Sequence, residues 1–321
     1  MACSELFPGF YKINLPIPRG GFESFLDGWF IKDEARAQNI LVETGPASAV
    51  PEMFARLEEL GNPMIDYLIY THIHLDHAGG AGHFIRRYPD TKLLAPAKGR
   101  PHLVDPSKLI AGSRTSLGSL CDVYGEPLPV PAENMLGDGG EIPGLTVIDT
   151  PGHAPHHSSY IYELGGRRIL FAGEAAGCWF RLDDGSYFTR PATPHKFYYD
   201  TAMASLEKLL ALKDVDIVCF PHSGWLTDYI PAFERAKKQM ELWLEILSQL
   251  PPEAGREETL AELLPRDPVR DKLQTPPENI KNSELVFLGH YANALLGRLR
   301  SAATARATAQ GVAPLVQDKK F

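Results

Sequence analysis

Apolar residues fall in short blocks over the first two-thirds of the chain and change to helical spacing over the last third. Residues 11–17 and 25–31 are apolar and aromatic blocks of strand length, and 39–43 is a third that runs into Thr44-Gly45-Pro46, a turn signal. Val50, Met53, Phe54, Leu57 and Leu60 then recur every three or four residues, so 49–60 is expected to be a helix that stops at Gly61-Asn62-Pro63. Residues 64–70 are a short apolar run, expected as a buried strand, and 79–88 a helix. Residues 97–135 are less regular: a helix is expected over 106–123 in spite of Gly112 and Gly118, in a stretch read as a lid or substrate-facing insertion. Residues 145–149 read as a strand, 159–164 and 167–172 as a hairpin around Gly165-Gly166, 201–212 as a helix and 215–220 as a strand. Residues 229–250 form a strong amphipathic pattern, followed by weaker ones at 257–264 and 283–300, with Pro251-Pro252 and Pro276-Pro277 between them and a small, polar tail from 301.

Composition narrows the class. At about 150 residues per domain, 321 residues suggest two domains. The net charge of −8 disfavours a general basic surface for nucleic acid. No apolar run approaches the roughly 20 residues of a spanning helix, and no signal peptide is expected at the start. Cys3, Cys121, Cys178 and Cys219 show no paired spacing, which reads as reduced thiols of a cytoplasmic protein. A globular enzyme with a small-molecule substrate, without nucleic acid or membrane partners, is the expectation.

The 11 histidines are unevenly spread: His72, His74, His77 and His83 cluster, as do His153, His156 and His157. His72, His74, Asp76 and His77 form H-x-H-x-D-H directly after an expected strand. Imidazole nitrogen and carboxylate oxygen suit first-row metals. In an extended loop His72, His74 and Asp76 share one side and His77 turns away, so one segment can serve two adjacent metal positions. Two further expected strands end at Thr150-Pro151-Gly152-His153 and Pro221-His222-Ser223-Gly224, and strand-end loops are where a rigid scaffold carries chemistry.

These residues resemble the metallo-β-lactamase superfamily of metallohydrolases, over roughly residues 10–225. The resemblance rests on Thr71-His72-Ile73-His74-Leu75-Asp76-His77-Ala78-Gly79-Gly80, Thr150-Pro151-Gly152-His153 with His157-Ser158 behind it, Phe171-Ala172-Gly173-Glu174, and Pro221-His222-Ser223-Gly224. It implies an α+β fold, a four-layer αββα sandwich with a two-metal site at one edge, here with a C-terminal helical extension. It divides the chain into a catalytic domain, 1–228, and helices packed on it, 229–321. It implies that His72, His74 and His153 hold one metal, that Asp76, His77 and His222 hold the other, and that Glu174 bridges them. The implied cofactors are two divalent ions, zinc first, with iron, manganese and nickel also compatible.

Two positions depart from the family pattern. Glu174 stands where the bridging residue is usually Asp, and Glu43-Thr44-Gly45 where Asp-Thr-Gly is common. Glu43 is expected to support the ligand loop and His157 to support the site or touch substrate. His156 is expected to be exposed, His83 structural, and His102, His195 and His290 without a site role. The run Phe197-Tyr198-Tyr199 is expected in the core, with a pocket wall as the minor alternative, and Cys178 is expected to be a buried, inert thiol near the site.

The resemblance implies hydroxide drawn from water between two ions at neutral pH, attacking an ester, thioester, lactone or phosphoester, with Asp76 orienting the nucleophile or moving a proton. Residues 175–221 are too few for the inserted domain of nuclease members, position 174 is not the Cys of many β-lactamases, and no flavodoxin-like domain follows. The glyoxalase II and lactonase neighbourhood remains. A mononuclear iron oxygenase of sulfur compounds and, behind it, a non-catalytic metal-binding protein are the alternatives. The apolar helix 285–299 leaves a homodimer open.

Overall fold

In the computed structural model, residues 3–137, 140–181, 187–194, 197–222, 224–251, 253–272, 287–289, 292 and 295–297 are described. The apolar blocks near the start become β2 (Phe10–Leu15), β3 (Leu26–Asp33) and β4 (Gln38–Val42), with β1 (Cys3–Phe7) added at the edge. With β5 (Tyr67–Ile69) and β6 (Lys92–Leu94) they form one sheet in the order β1-β2-β3-β4-β5-β6. The second sheet runs β13-β12-β9-β8-β7, from β7 (Leu145–Asp149), β8 (Ser158–Leu164), β9 (Arg167–Phe171), β12 (Ile217–Phe220) and β13 (Gly224–Leu226). β10 (Cys178–Arg181) and β11 (Tyr187–Arg190) make a separate two-stranded hairpin.

Period-two alternation divides the side chains between two layers. Trp29, Ile31, Ile40, Val42 and Ile69 of the first sheet meet Tyr160, Tyr162, Ile169, Phe171 and Cys219 of the second. The intervening residues point outward. Ile13, Leu41 and Leu68 lie under α1 (Val50–Glu59) and, past the short α2 (Leu75–Ala78), under α3 (Ala81–Arg87), through Met53, Leu57 and Phe84. Ile161, Leu170 and Val218 lie under α7 (Tyr199–Leu210) and α8 (Ile230–Ser248), through Leu206, Leu209, Phe233 and Trp243. The result is the four-layer αββα sandwich of an α+β protein. α9 (Arg256–Leu263), α10 (Val269–Lys272) and Leu288, Ala292 and Leu295 join that last cluster, so the C-terminal helices share a core with the second sheet.

The expected helix over 106–123 is broken. α4 (Arg100–Val104) precedes it, and α5 (Ser107–Leu117) ends at Gly118, whose φ of 56° lies in the left-handed region, before α6 (Leu120–Tyr124) begins. α5 buries none of its residues, which matches its weak apolar stripe. Most of the expected helix 283–300 lies outside the described residues, as do His195 and His290. Among the described residues no helix is long and apolar enough to cross a membrane.

Strand direction sends the functional loops to one end. β4, β5 and β6 are parallel, so the residues after β4 and β5 emerge on the same edge. In the other sheet β9 is parallel to β12 and antiparallel to β8, which is antiparallel to β7. The residues after β7, β9 and β12 therefore also emerge together. This is the carboxyl-end placement that open sheets use for ligand sites.

Candidate metal centre

Five strand ends converge here. Glu43 follows β4, His72 and His74 follow β5, and Asp76 and His77 lie in α2; His153, Glu174 and His222 follow β7, β9 and β12. The structure brings together all seven residues expected to hold metal. His72, His74, His153 and Glu174 form one group, with one candidate ligand atom each within 4.8 Å of the others; Asp76, His77 and His222 form a second by the same measure. His74 Nδ1 lies 3.0 Å from both His72 Nε2 and His153 Nε2. Glu174 reaches both groups. Its Oε2 is 2.9 Å from His153 Nε2, 3.4 Å from His72 Nε2 and 3.5 Å from His77 Nε2, and its Oε1 is 3.4 Å from His222 Nε2. Asp76 Oδ2 lies 3.6 Å from His77 Nε2 and 3.9 Å from His222 Nε2.

The far nitrogens of several rings are anchored, which fixes the face each ring turns inward. His153 Nδ1 meets the Ala192 carbonyl oxygen at 2.9 Å, His222 Nδ1 that of Phe25 at 3.1 Å, and His72 Nδ1 meets Thr71 Oγ1 at 3.1 Å. Glu43 lies beneath the ligand loop. Its φ of 64° turns the chain at the end of β4, and its Oε1 accepts from the Thr71 N–H at 3.0 Å and the Thr71 hydroxyl at 2.7 Å. His157 accepts the Glu174 N–H on Nε2 at 3.0 Å and meets Thr150 Oγ1 through Nδ1 at 2.9 Å. Gly173, at φ 56°, allows that approach: a Cβ there would lie 2.3 Å from His157 Nε2.

The donor set fits divalent cations. Buried His77 has no close hydrogen-bond partner on either ring nitrogen; carboxylate oxygens stand just beyond hydrogen-bonding distance, Glu43 Oε2 3.5 Å from Nδ1, and Glu174 Oε2 and Asp76 Oδ2 3.5 and 3.6 Å from Nε2. Such groups are rare unless something else satisfies them. Burial, and then the neighbouring rings, hold the His72 and His74 imidazoles neutral well below their ordinary range, and neutral imidazole is the form that binds metal. Burial lowers the affinity of His77 for a proton, but Asp76, Glu174 and Glu43 together outweigh it, so that point favours positive charge. Burial likewise raises the Glu174 carboxyl, and His153, His222 and His72 more than reverse it.

Two expectations change. His156 is half-buried rather than exposed, its Nδ1 without a partner, and its ring centroid is 5.9 Å from that of His74. Cys178 is buried, as expected, and lies at the site, with its Sγ 2.8 Å from Glu174 Oε1. The aromatic run splits, with Phe197 and Tyr199 buried and Tyr198 exposed, and Phe197 lines a cleft that reaches His153 and Glu174. His83 holds the Glu126 carbonyl oxygen at 2.9 Å, away from the centre. Arg190, buried beside Cys178, carries no local sequence signal; only the pairing of β10 with β11 brings it there.

The model of the metallo-β-lactamase superfamily matches residues 28–222, more than half the chain. A metallo-β-lactamase fold-containing protein of Sulfurisphaera tokodaii is 28% identical over 213 residues, covering 63% of this chain and 74% of that one. A hydroxyacylglutathione hydrolase of Aeromonas hydrophila is 28% identical over 207 residues, so the chain spans only 62% of that relative's length. Among solved structures, a metallo-β-lactamase family protein of Thermus thermophilus superposes with a TM-score of 0.61 at 22% identity, over 94% of this chain and 96% of that one. The sandwich, the convergence of strand ends and the family match agree: the chain belongs to the metallo-β-lactamase superfamily, as a metal-dependent hydrolase.

Proposed function

We propose that the protein hydrolyses a small carboxylic ester, thioester or lactone, with two divalent ions, zinc by preference, held by His72, His74 and His153 and by Asp76, His77 and His222. The observation that carries this reading is Glu174, whose two oxygens face histidines of both groups. Its extra methylene does not withdraw it from either, which favours two ions over the single iron of a sulfur oxygenase. Two names among the relatives support the substrate class. Hydroxyacylglutathione hydrolase and the N-acyl homoserine lactonase of a Bacillus species, 27% identical over 165 residues, both denote cleavage of an acyl group from a sulfur or oxygen leaving group.

When bound, such ions supply Lewis acidity, polarising a carbonyl oxygen and making water nucleophilic at neutral pH. The chain's residues do the rest. Burial lowers the proton affinity of the His72 and His74 rings, which favours the neutral form whose lone pairs a cation needs. Glu174 and Asp76 divide their work by exposure: the Glu174 side chain is 4% exposed, whereas that of Asp76 is 18% exposed. Asp76 is thus the carboxylate that can take a proton from the attacking water and pass it to the leaving group. Phe197 and Met240 give the cleft beside His153 an apolar wall.

The test is His72→Ala and Asp76→Ala, with zinc content by elemental analysis and rates on a panel of esters, thioesters and lactones. Loss of metal in the first and loss of rate in both are expected. Full activity with stoichiometric metal in both variants would overturn the proposal.

A further inference from the structure

We infer that Cys178 is a positioning residue for Glu174: its thiol holds carboxylate oxygen Oε1 on the His222 side, leaving Oε2 to face His72, His77 and His153. The inference rests on the two-ion reading above. Glu174 is one methylene longer than the Asp of the family pattern, and the added rotatable bond gives its carboxylate more orientations to lose on binding metal. In the structure the two oxygens are not equivalent. Oε2 has three imidazole nitrogens within 3.5 Å. Oε1 has Cys178 Sγ at 2.8 Å and His222 Nε2 at 3.4 Å.

The hairpin that supplies Cys178 also supplies its second partner. Cys178 in β10 pairs directly with Arg190 in β11, and Arg190 Nη1 donates to Cys178 Sγ at 3.3 Å. Both residues are buried. A guanidinium has no acceptor, and an ionised carboxylate has no donor. The hydrogen bonds can therefore run only one way, from Arg190 to the sulfur and from the S–H to Oε1. A sulfur that accepts from a cation is a stronger donor on its other side, because bonds in such a chain polarise one another. The Arg190 guanidinium carbon also sits 4.9 Å from the centre of the Phe287 ring, so packing restrains the far end of the chain. The extra length of Glu174 is thereby taken up by a fixed partner behind it.

Zinc titration and elemental analysis of wild type, Cys178→Ser, Cys178→Ala and Cys178→Val test this. Ser keeps an O–H donor, Ala and Val have none, and Val fills the space that Ala leaves. Ala and Val should each weaken the more loosely held zinc about 10- to 100-fold, the usual effect of removing a group that orients a ligand. Ser should stay within about threefold of wild type by the same reasoning. Cobalt-loaded wild type should show no sulfur-to-metal charge-transfer band in the near ultraviolet. Ala and Val variants that bind zinc as wild type does would overturn the inference. So would a charge-transfer band lost in Cys178→Ser, since Cys178 would then be a ligand; its sulfur is within 4.8 Å of ligand atoms of Glu174 and His222. Wild type that binds no zinc would overturn the two-ion reading, and this inference with it.

Discussion

At the end of the sandwich away from the histidines, Tyr162 donates its hydroxyl to Asp33 Oδ2 at 2.6 Å and accepts from Gln38 Nε2 at 2.7 Å. Arg36 Nη1 donates to the same Asp33 oxygen at 2.7 Å and to the Glu163 carbonyl oxygen at 2.9 Å. Donors there meet acceptors, and the two sheets are joined. At the histidine end nitrogen faces nitrogen, twice at 3.0 Å on His74, and the ring nitrogens of His77 have no close hydrogen-bond partner. Both ends bury polar groups between the same sheets. One is a joint that is complete in itself; the other is complementary to a cation. Buried polar groups contribute to stability only when satisfied, so the second arrangement carries a cost that a bound ion offsets.

Chelation should separate the two ends most sharply. Stripping metal, or His153→Ala, should lower hydrolysis by about 10^3-fold or more, since the ions supply several kcal/mol of transition-state stabilisation. Steady-state rates before and after zinc is restored check this for the chelated wild type. Chelation should also lower the melting temperature, because a ligand present at about 1,000 times its Kd stabilises the native state by roughly 4 kcal/mol. Calorimetry with and without chelator measures the shift. An unchanged melting temperature would break the comparison.

Glu43→Gln removes the charge beside His77 and weakens the support under the ligand loop. Zinc affinity should fall about 10- to 100-fold with little change in the metal-free protein, as measured by competition with a chromophoric chelator. At the other end, Tyr162→Phe should cost about 1.5–3 kcal/mol at neutral pH, the worth of a hydrogen bond to a charged group, with zinc content unchanged. Burial opposes ionisation of Asp33, but the Tyr162 hydroxyl and Arg36 hold its carboxyl below the ordinary value. The stabilisation is therefore present above the unfolded pKa of about 3.9 and disappears as pH falls through the lower folded value. Urea melts at neutral and acid pH should show the Tyr162→Phe deficit shrinking on acidification. The smallest effect sharpens the comparison: Glu43→Gln and Tyr162→Phe share no partner, so their stability effects should add within about 0.5 kcal/mol. A larger coupling energy in the double variant would mean that the ends are not independent.

Much of the histidine end is legible in the chain because its signals are local. The spacing of His72, His74, Asp76 and His77, and the turns before His153 and His222, need only neighbours to be read. The layers follow from alternation in β4 and β8. What escapes depends on pairing between distant or weakly patterned segments. β1 has a mixed burial pattern with no buried face. The Cys178–Arg190 contact needs the register of a hairpin, which the Asp184-Gly185 dipeptide between the strands does not by itself fix. The left-handed backbone at Glu43, an unfavourable conformation for a side chain of that size, is set by the sheet around it and leaves no trace in composition.

Each ligand group draws on both sheets, and the last residue of the set, His222, lies after β12. During synthesis, a nascent chain that has emerged only as far as α6 has the first histidines but no place for an ion to be held from both sides. Loading must wait for the two halves to meet, and the ion then joins them as a cross-link would. An ion held in this way therefore marks a molecule whose sheets have come together.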